Sequence, residues 1–148
     1  MSVKVCDLYT VLGENVGEKV WQEYPRPQMK RDSFLCLNGK WDFAAKKGKS
    51  FPREYSDSIL VPFCPESLLS GIHAHYGEDT FLFYQKSITL PEGFLQGRLL
   101  LHFGAVDQQV EIFVNGRIVG KHIGGYNAFS LDITDDHTRE MTLTLRIK

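Results

Sequence analysis

The sequence predicts an all-β fold, an antiparallel β-sandwich. Three observations carry this expectation: the apolar runs are short, turn signals recur between them, and no stretch holds a long helical period. Residues 1–24 read as an irregular N-terminal extension, with Gly13 and Gly17 among Leu8, Val11, Leu12 and Val16. Pro25 and Pro27 flank Arg26 and predict extended backbone leading into the domain, residues 25–148. Phe34–Leu37 and Trp41–Phe43 flank Asn38-Gly39. Asn-Gly between apolar runs is the strongest short hairpin signal, because both residues tolerate positive φ. Residues 44–57, with Lys46, Lys47, Gly48, Lys49 and Pro52, predict a solvated loop. Ile59-Leu60-Val61 forms a strand stopped by Pro62, and Ser67–Ser70 a single turn.

The second half is more regular. Phe81–Leu90 is aromatic and β-branched and ends at Pro91. Arg98–Phe103 is almost continuously apolar, which predicts a strand covered on both faces. Between Asp107 and Val114, Val110, Ile112 and Val114 share one face, Gln109 and Glu111 point the other way, and Phe113 needs cover of its own. Asn115-Gly116 is a second hairpin signal, returning through Arg117–Lys121. Gly124-Gly125 makes a turn, and Phe129, Leu131 and Ile133 form a further strand. Met141, Leu143, Leu145 and Ile147 alternate with Thr142, Thr144, Arg146 and Lys148 as a half-buried strand in which the chain stops.

Composition narrows the function. The chain has 148 residues, 43% of them hydrophobic and 24% charged, and a formal net charge of −1. A near-neutral chain lacks the clustered cations that nucleic-acid binding uses. No apolar run approaches the roughly 20 residues of a membrane-spanning helix. Met1–Thr10 lacks the basic start and apolar run of a secretory signal, so a cytoplasmic location is expected. Cys6, Cys36 and Cys64 cannot all pair within one chain and show no zinc-ligand spacing; three reduced thiols are expected.

No catalytic constellation stands out. His73 and His75 have strand spacing toward one face, with Glu78 as a third candidate ligand, but solvated loop histidines are the commoner outcome, and no metal or cofactor is expected. Glu66, Glu78, Glu92, Asp107 and Asp132 are scattered, whereas a glycosidase needs two carboxyl groups a few ångströms apart. Asp132 is placed to cap the turn at Thr134-Asp135-Asp136. Ser33, Ser67 and Ser70 lack a nucleophile-elbow context. Trp21, Trp41, Tyr76, Tyr84 and Tyr126 are candidates for stacking on a sugar. Trp41 is assigned to the core, while Trp21 and Tyr126 stay open.

Five motifs in order resemble the opening of glycoside hydrolase family 2 enzymes. They are Pro25–Ser33 with Leu37–Phe43, Val61–Ser67, Leu101–Asp107, Val114–Gly120, and His122–Phe129 with Asp132-Ile133-Thr134. Tyr84-Gln85-Lys86 departs from the family's Tyr-Arg-Arg-like run. The resemblance implies a galactose-binding-like jelly-roll sandwich at the N-terminus of a retaining β-glycosidase, β-galactosidase-like. An immunoglobulin-like domain and a catalytic (β/α)₈ barrel would follow, holding the acid/base and nucleophile glutamates. In such an enzyme the domain would brace the barrel and contribute to the substrate pocket. The resemblance places the residue that reaches a sugar hydroxyl at Asp107; the alternative is a carboxylate that bonds backbone amides of its own loop. Two other readings stand beside it: an independent carbohydrate-binding module and a protein-interaction sandwich.

The resembling enzymes complete the sandwich with a strand beyond the one in which this chain stops. The fragment is therefore expected to self-associate through an open edge. The alternative is a monomer in which residues 1–20 fold back, with Leu8, Val11 and Leu12 as a plug.

Overall fold

The computed structural model describes residues 9–18, 20–24, 27–29 and 31–148. Among these, the chain forms eight strands: β1 (Gly39–Lys47), β2 (Asp57–Val61), β3 (Thr80–Thr89), β4 (Leu100–Phe103), β5 (Gln109–Val114), β6 (Arg117–Ile123), β7 (Phe129–Asp132) and β8 (Glu140–Ile147). The helical elements among the described residues are three-residue 3₁₀ turns at Gly13–Asn15, Pro27–Met29 and Leu68–Ser70. Six strands make one sheet in the order β2-β1-β3-β8-β5-β6, and β4 pairs with β7 in a second. Every pairing is antiparallel, giving an all-β fold of β-sandwich type.

The register explains the core. Tyr84 faces both Phe43 and Leu145 across the sheet, and Leu145 faces Ile112. Side chains two apart along a strand share a face. Trp41, Ile59, Ile88, Val110, Val114, Leu143 and Ile147 therefore line the same side. Leu99, Leu101 and Ile133 meet them from the small sheet. Lys86 falls on this apolar face too. Its ammonium lies 5.6 Å from the centre of the Trp41 ring and donates to the Lys40 carbonyl at 2.7 Å. Burial pushes its pKa down, against an opposing pull from Asp42 and Cys36. The Tyr84-Gln85-Lys86 run thus makes a cation–ring contact here, and Gln85 bonds Thr144 Oγ1 and Tyr55.

The opposite face of the large sheet answers the demand that Phe113 makes in an otherwise alternating strand. Phe51, from the loop after β1, covers both Phe113 and Phe83 edge-on, at centroid distances of 4.9 and 5.9 Å. Arg146 lies beside the Phe51 and Phe113 rings, its Cζ 5.6 and 5.2 Å from their centres. Its guanidinium forks onto Glu111 Oε2, with Nε at 2.7 Å, and Nη1 reaches the Lys49 carbonyl at 2.6 Å.

Several expectations are corrected. Asn38-Gly39 is not a hairpin turn, and residues 34–37 form no strand. A two-residue type I′ turn needs positive φ at both positions. Asn115 (φ 50°) and Gly116 (φ 79°) meet this; Gly39 has φ 113°, but Asn38 is not in the positive region. The residues before Gly39 are tied elsewhere. The Trp41 indole donates to the Leu37 carbonyl at 2.8 Å, and the Gln22 amide donates to the Asn38 carbonyl at 3.3 Å. The solvated loop starts later than expected, because Ala44–Lys47 pair with Thr80–Phe83 as part of β1. β4 is not covered on both faces: Leu99 and Leu101 are buried, but Leu100 and His102 are exposed, and His102 Nδ1 pairs with Ser130 Oγ at 2.6 Å.

At the N-terminus, Pro27–Met29 is a 3₁₀ turn rather than extended chain. Pro25, Arg26, Leu8 and Cys6 lie outside the described residues. Val11 and Leu12 are 78% and 81% exposed, so they plug nothing; among the described residues of the extension, Gly13 and Val20 are buried. Among the described residues no helix is long and apolar enough to cross a membrane.

Candidate functional site

Two loops meet at one end of the sandwich. The first, residues 104–108, connects β4 to β5; the second, residues 124–128, connects β6 to β7. The amides of Gln108 and Gln109 donate to the Lys148 carbonyl at 3.3 and 2.9 Å, and the Lys148 amide returns a bond to Gln109. The Gly124 amide donates to the Gln108 carbonyl at 2.8 Å, joining the loops. Gly124 has φ 127°, a conformation open mainly to glycine. The Asp107–Gln108 peptide bond is cis.

Asp107 is exposed at this junction. Among the described residues, no loop amide donates to its carboxylate within hydrogen-bond distance, and its Oδ1 lies against the position of Gly125. Beneath the loops runs an aromatic stack. His122 lies parallel to Phe129 at 4.0 Å and 13°, and Phe129 to Phe103 at 4.8 Å and 16°. His122 Nε2 is buried with no hydrogen-bond partner among the described residues. Tyr126, next to Gly125, is 96% exposed.

The other candidates are placed elsewhere. His75 Nδ1 is 4.0 Å from Glu66 Oε1, and Glu78 is exposed; among the described residues no group of three His, Cys, Asp or Glu side chains is arranged to hold a metal. Asp132 caps its turn as expected. Its Oδ1 accepts from the Thr134 amide at 3.0 Å and from the Thr134 hydroxyl, and its Oδ2 accepts from Arg98 Nε at 2.7 Å. The Thr134 bonds, and then Arg98, hold its carboxyl at about 2. Trp41 is core, as assigned. Tyr84 is buried, which raises its phenol pKa, while Tyr76 packs at 6.0 Å from Phe43. Trp21 is exposed, with its carbonyl accepting from Asn38 Nδ2 and Cys36 Sγ. Sequence reasoning missed Gly125 as the neighbour of Asp107, and the stack of His122 on Phe129 at the ends of the second loop. The Gly-Gly pair directly before an exposed aromatic was the one local signal.

The class the fold defines is an antiparallel all-β sandwich, with an exposed carboxylate at the junction of two of its loops. Residues 72–141 match the family described as glycosyl hydrolases family 2, sugar binding domain. Over that stretch the chain is similar to the sugar-binding domain of that family.

Over 112 residues it is 32% identical to a β-glucuronidase of Streptococcus agalactiae, covering 73% of this chain and 18% of that protein. Over 66 residues it is 33% identical to a β-galactosidase of Thermoanaerobacter pseudethanolicus, covering 43% of this chain and 9% of that protein. The solved β-glucuronidase of Bifidobacterium dentium, complexed with coumarin-3-O-glucuronide, superposes with a TM-score of 0.59 at 29% identity, over 76% of this chain and 19% of that one. That of Faecalibacterium prausnitzii gives 0.61 at 26% identity, over 84% and 22%. The chain thus spans less than a quarter of the length of these relatives.

Proposed function

We propose that this chain is the non-catalytic N-terminal domain of a retaining family 2 β-glycosidase, bracing the catalytic barrel and lending Asp107 to one wall of the substrate pocket. The observation that carries the reading is the exposed Asp107 carboxylate, with no loop amide bound to it, on the loop junction of a domain similar to the family 2 sugar-binding domain. A carboxylate accepts hydrogen bonds from two adjacent sugar hydroxyls, and the charge strengthens each bond. The hydrolytic acid/base and nucleophile would come from the barrel. The longer alignment is to a β-glucuronidase, which favours a β-glucuronide substrate over the β-galactoside expected from sequence.

In the multidomain enzyme, Asp107→Ala lowers kcat/KM by about 10–150-fold, the loss of one bond to a charged group worth about 1.5–3 kcal/mol. Circular dichroism and melting temperature of the variant stay near wild type. An unchanged kcat/KM sinks the assignment of Asp107. The purified 148-residue chain releases no nitrophenol from nitrophenyl β-glucuronide or β-galactoside; measurable turnover by it refutes the non-catalytic role.

A further inference from the structure

Gly125 has no side chain, yet the space its Cβ would fill is occupied. A Cβ built there lies 2.3 Å from Asp107 Oδ1, 2.6 Å from Cγ and 2.9 Å from Cβ. Non-bonded heavy atoms settle at about 3.5–4.0 Å, so something must move. The conformation of Gly125 is not the reason for glycine here: Gly124 holds the positive φ of this pair, and Gly125 does not. Among the described glycines, Gly125 alone has a charged group in its Cβ space; at Gly120 the same space is closed by the apolar Leu131 side chain. The loop has little freedom to retreat. The Gly124 amide is bonded to Gln108, the residue after Asp107, and Gln108 and Gln109 are bonded to Lys148. The part free to swing is the Asp107 side chain.

We propose that Gly125 is a positioning residue: the missing side chain at 125 sets where the Asp107 carboxylate stands, and any Cβ there turns the carboxylate away from a sugar hydroxyl. The functional half of this inference rests on the reading of Asp107 as the sugar-contacting group. The geometry also supplies its own control. All three nearest atoms belong to the Asp107 side chain, so Asp107→Gly removes every one of them.

The test is a double-mutant cycle of Gly125→Ala, Asp107→Gly and the double variant. In the 148-residue protein, NMR of the wild type shows a strong contact between Gly125 Hα and Asp107 Hβ. Gly125→Ala moves the Asp107 carboxyl ¹³C resonance and lowers the melting temperature by several degrees. Added to Asp107→Gly, the same substitution leaves the melting temperature unchanged or slightly raised, since alanine narrows the unfolded ensemble. In the multidomain enzyme, Gly125→Ala reduces kcat/KM toward the level of Asp107→Gly, and the double variant is no worse than Asp107→Gly alone. Additive losses in the melting cycle, or an Asp107 resonance unmoved by Gly125→Ala, overturn the proposal. If Asp107→Gly leaves kcat/KM intact while the melting cycle is non-additive, the sugar contact fails and the positioning by Gly125 stands.

Discussion

Arg146 joins three parts of the outer sheet face, and its removal measures how much that face contributes. Its side chain is 16% exposed and that of Glu111 is 22%. The fork onto Glu111 is a charge-assisted pair worth about 1.5–3 kcal/mol, and the bond to the Lys49 carbonyl about 1 kcal/mol. Two ring contacts at 5.2 and 5.6 Å add about 0.5–1 kcal/mol each. Two effects offset this: the charged side chain no longer needs desolvating, and Glu111 keeps Lys121 at 2.7 Å, so its charge is not orphaned. Arg146→Ala should therefore cost about 3 kcal/mol net. Arg146→Lys, which keeps the charge but loses the fork and the flat stacking surface, should cost about half of that. Urea denaturation at pH 7 reads both. The loss also has a pH signature. Hydrogen bonds from Lys121 and then Arg146 hold the Glu111 carboxyl below its ordinary value of 4.5. A depressed folded-state pKa contributes stability above the unfolded value that is lost as pH falls through the folded one. The gap between wild type and Arg146→Ala should narrow below about pH 4.5. A loss under about 1 kcal/mol at pH 7, or a gap that widens in acid, would refute this account.

Three further expectations follow from single contacts. Asn115 combines φ 50° with a side chain that accepts from the Thr142 amide at 2.9 Å and donates to Thr138 at 3.1 Å; Asn115→Ala should cost about 1–3 kcal/mol in urea unfolding and Asn115→Gly less, since glycine keeps the conformation. NMR titration should place the Asp132 carboxyl at about 2, with Thr134→Val and Arg98→Ala each raising it, because each removes a hydrogen bond to the carboxylate. Cys64 is exposed and Cys36 half-buried, so a thiol reagent should label Cys64 first in the native protein and count three thiols, Cys6 included, after denaturation without reductant.

The strands were legible where the residues facing the small sheet recur at every second position. β8 and β5 keep that period in the sequence, although Phe113 and Thr144 on the other face are buried as well. The two Asn-Gly pairs show where local pattern runs out. Both carry the same dipeptide, but Asn115 is free to take the turn, while the chain around Asn38 is claimed by Gln22 and by the Trp41 indole. The apolar run at 98–103 was misread because apolar composition does not reveal that no layer lies over Leu100. Phe113 announced that it needed cover, but its partner Phe51 comes from a lysine-flanked loop that reads as solvated. Asp107 was reached through resemblance rather than through any spacing of carboxylates. Gly125 was invisible as its partner because the two sit on loops far apart in sequence, joined across the fold by the Gly124–Gln108 bond.

The Phe103–Phe129–His122 stack gives both loops of the candidate site a common footing. Phe103 is where the first loop departs, His122 lies just before the second, and Phe129 is where the second lands. The tips, at Ala105, Tyr126, Asn127 and Ala128, are exposed and bear little of the sandwich's weight. Such a division makes the site exchangeable. Changes at the tips leave the foundation alone, whereas a change at Phe129, which touches both other rings, disturbs the two loops together. Variation between related chains should therefore collect at the tips, with the ring at 129 among the last positions to drift.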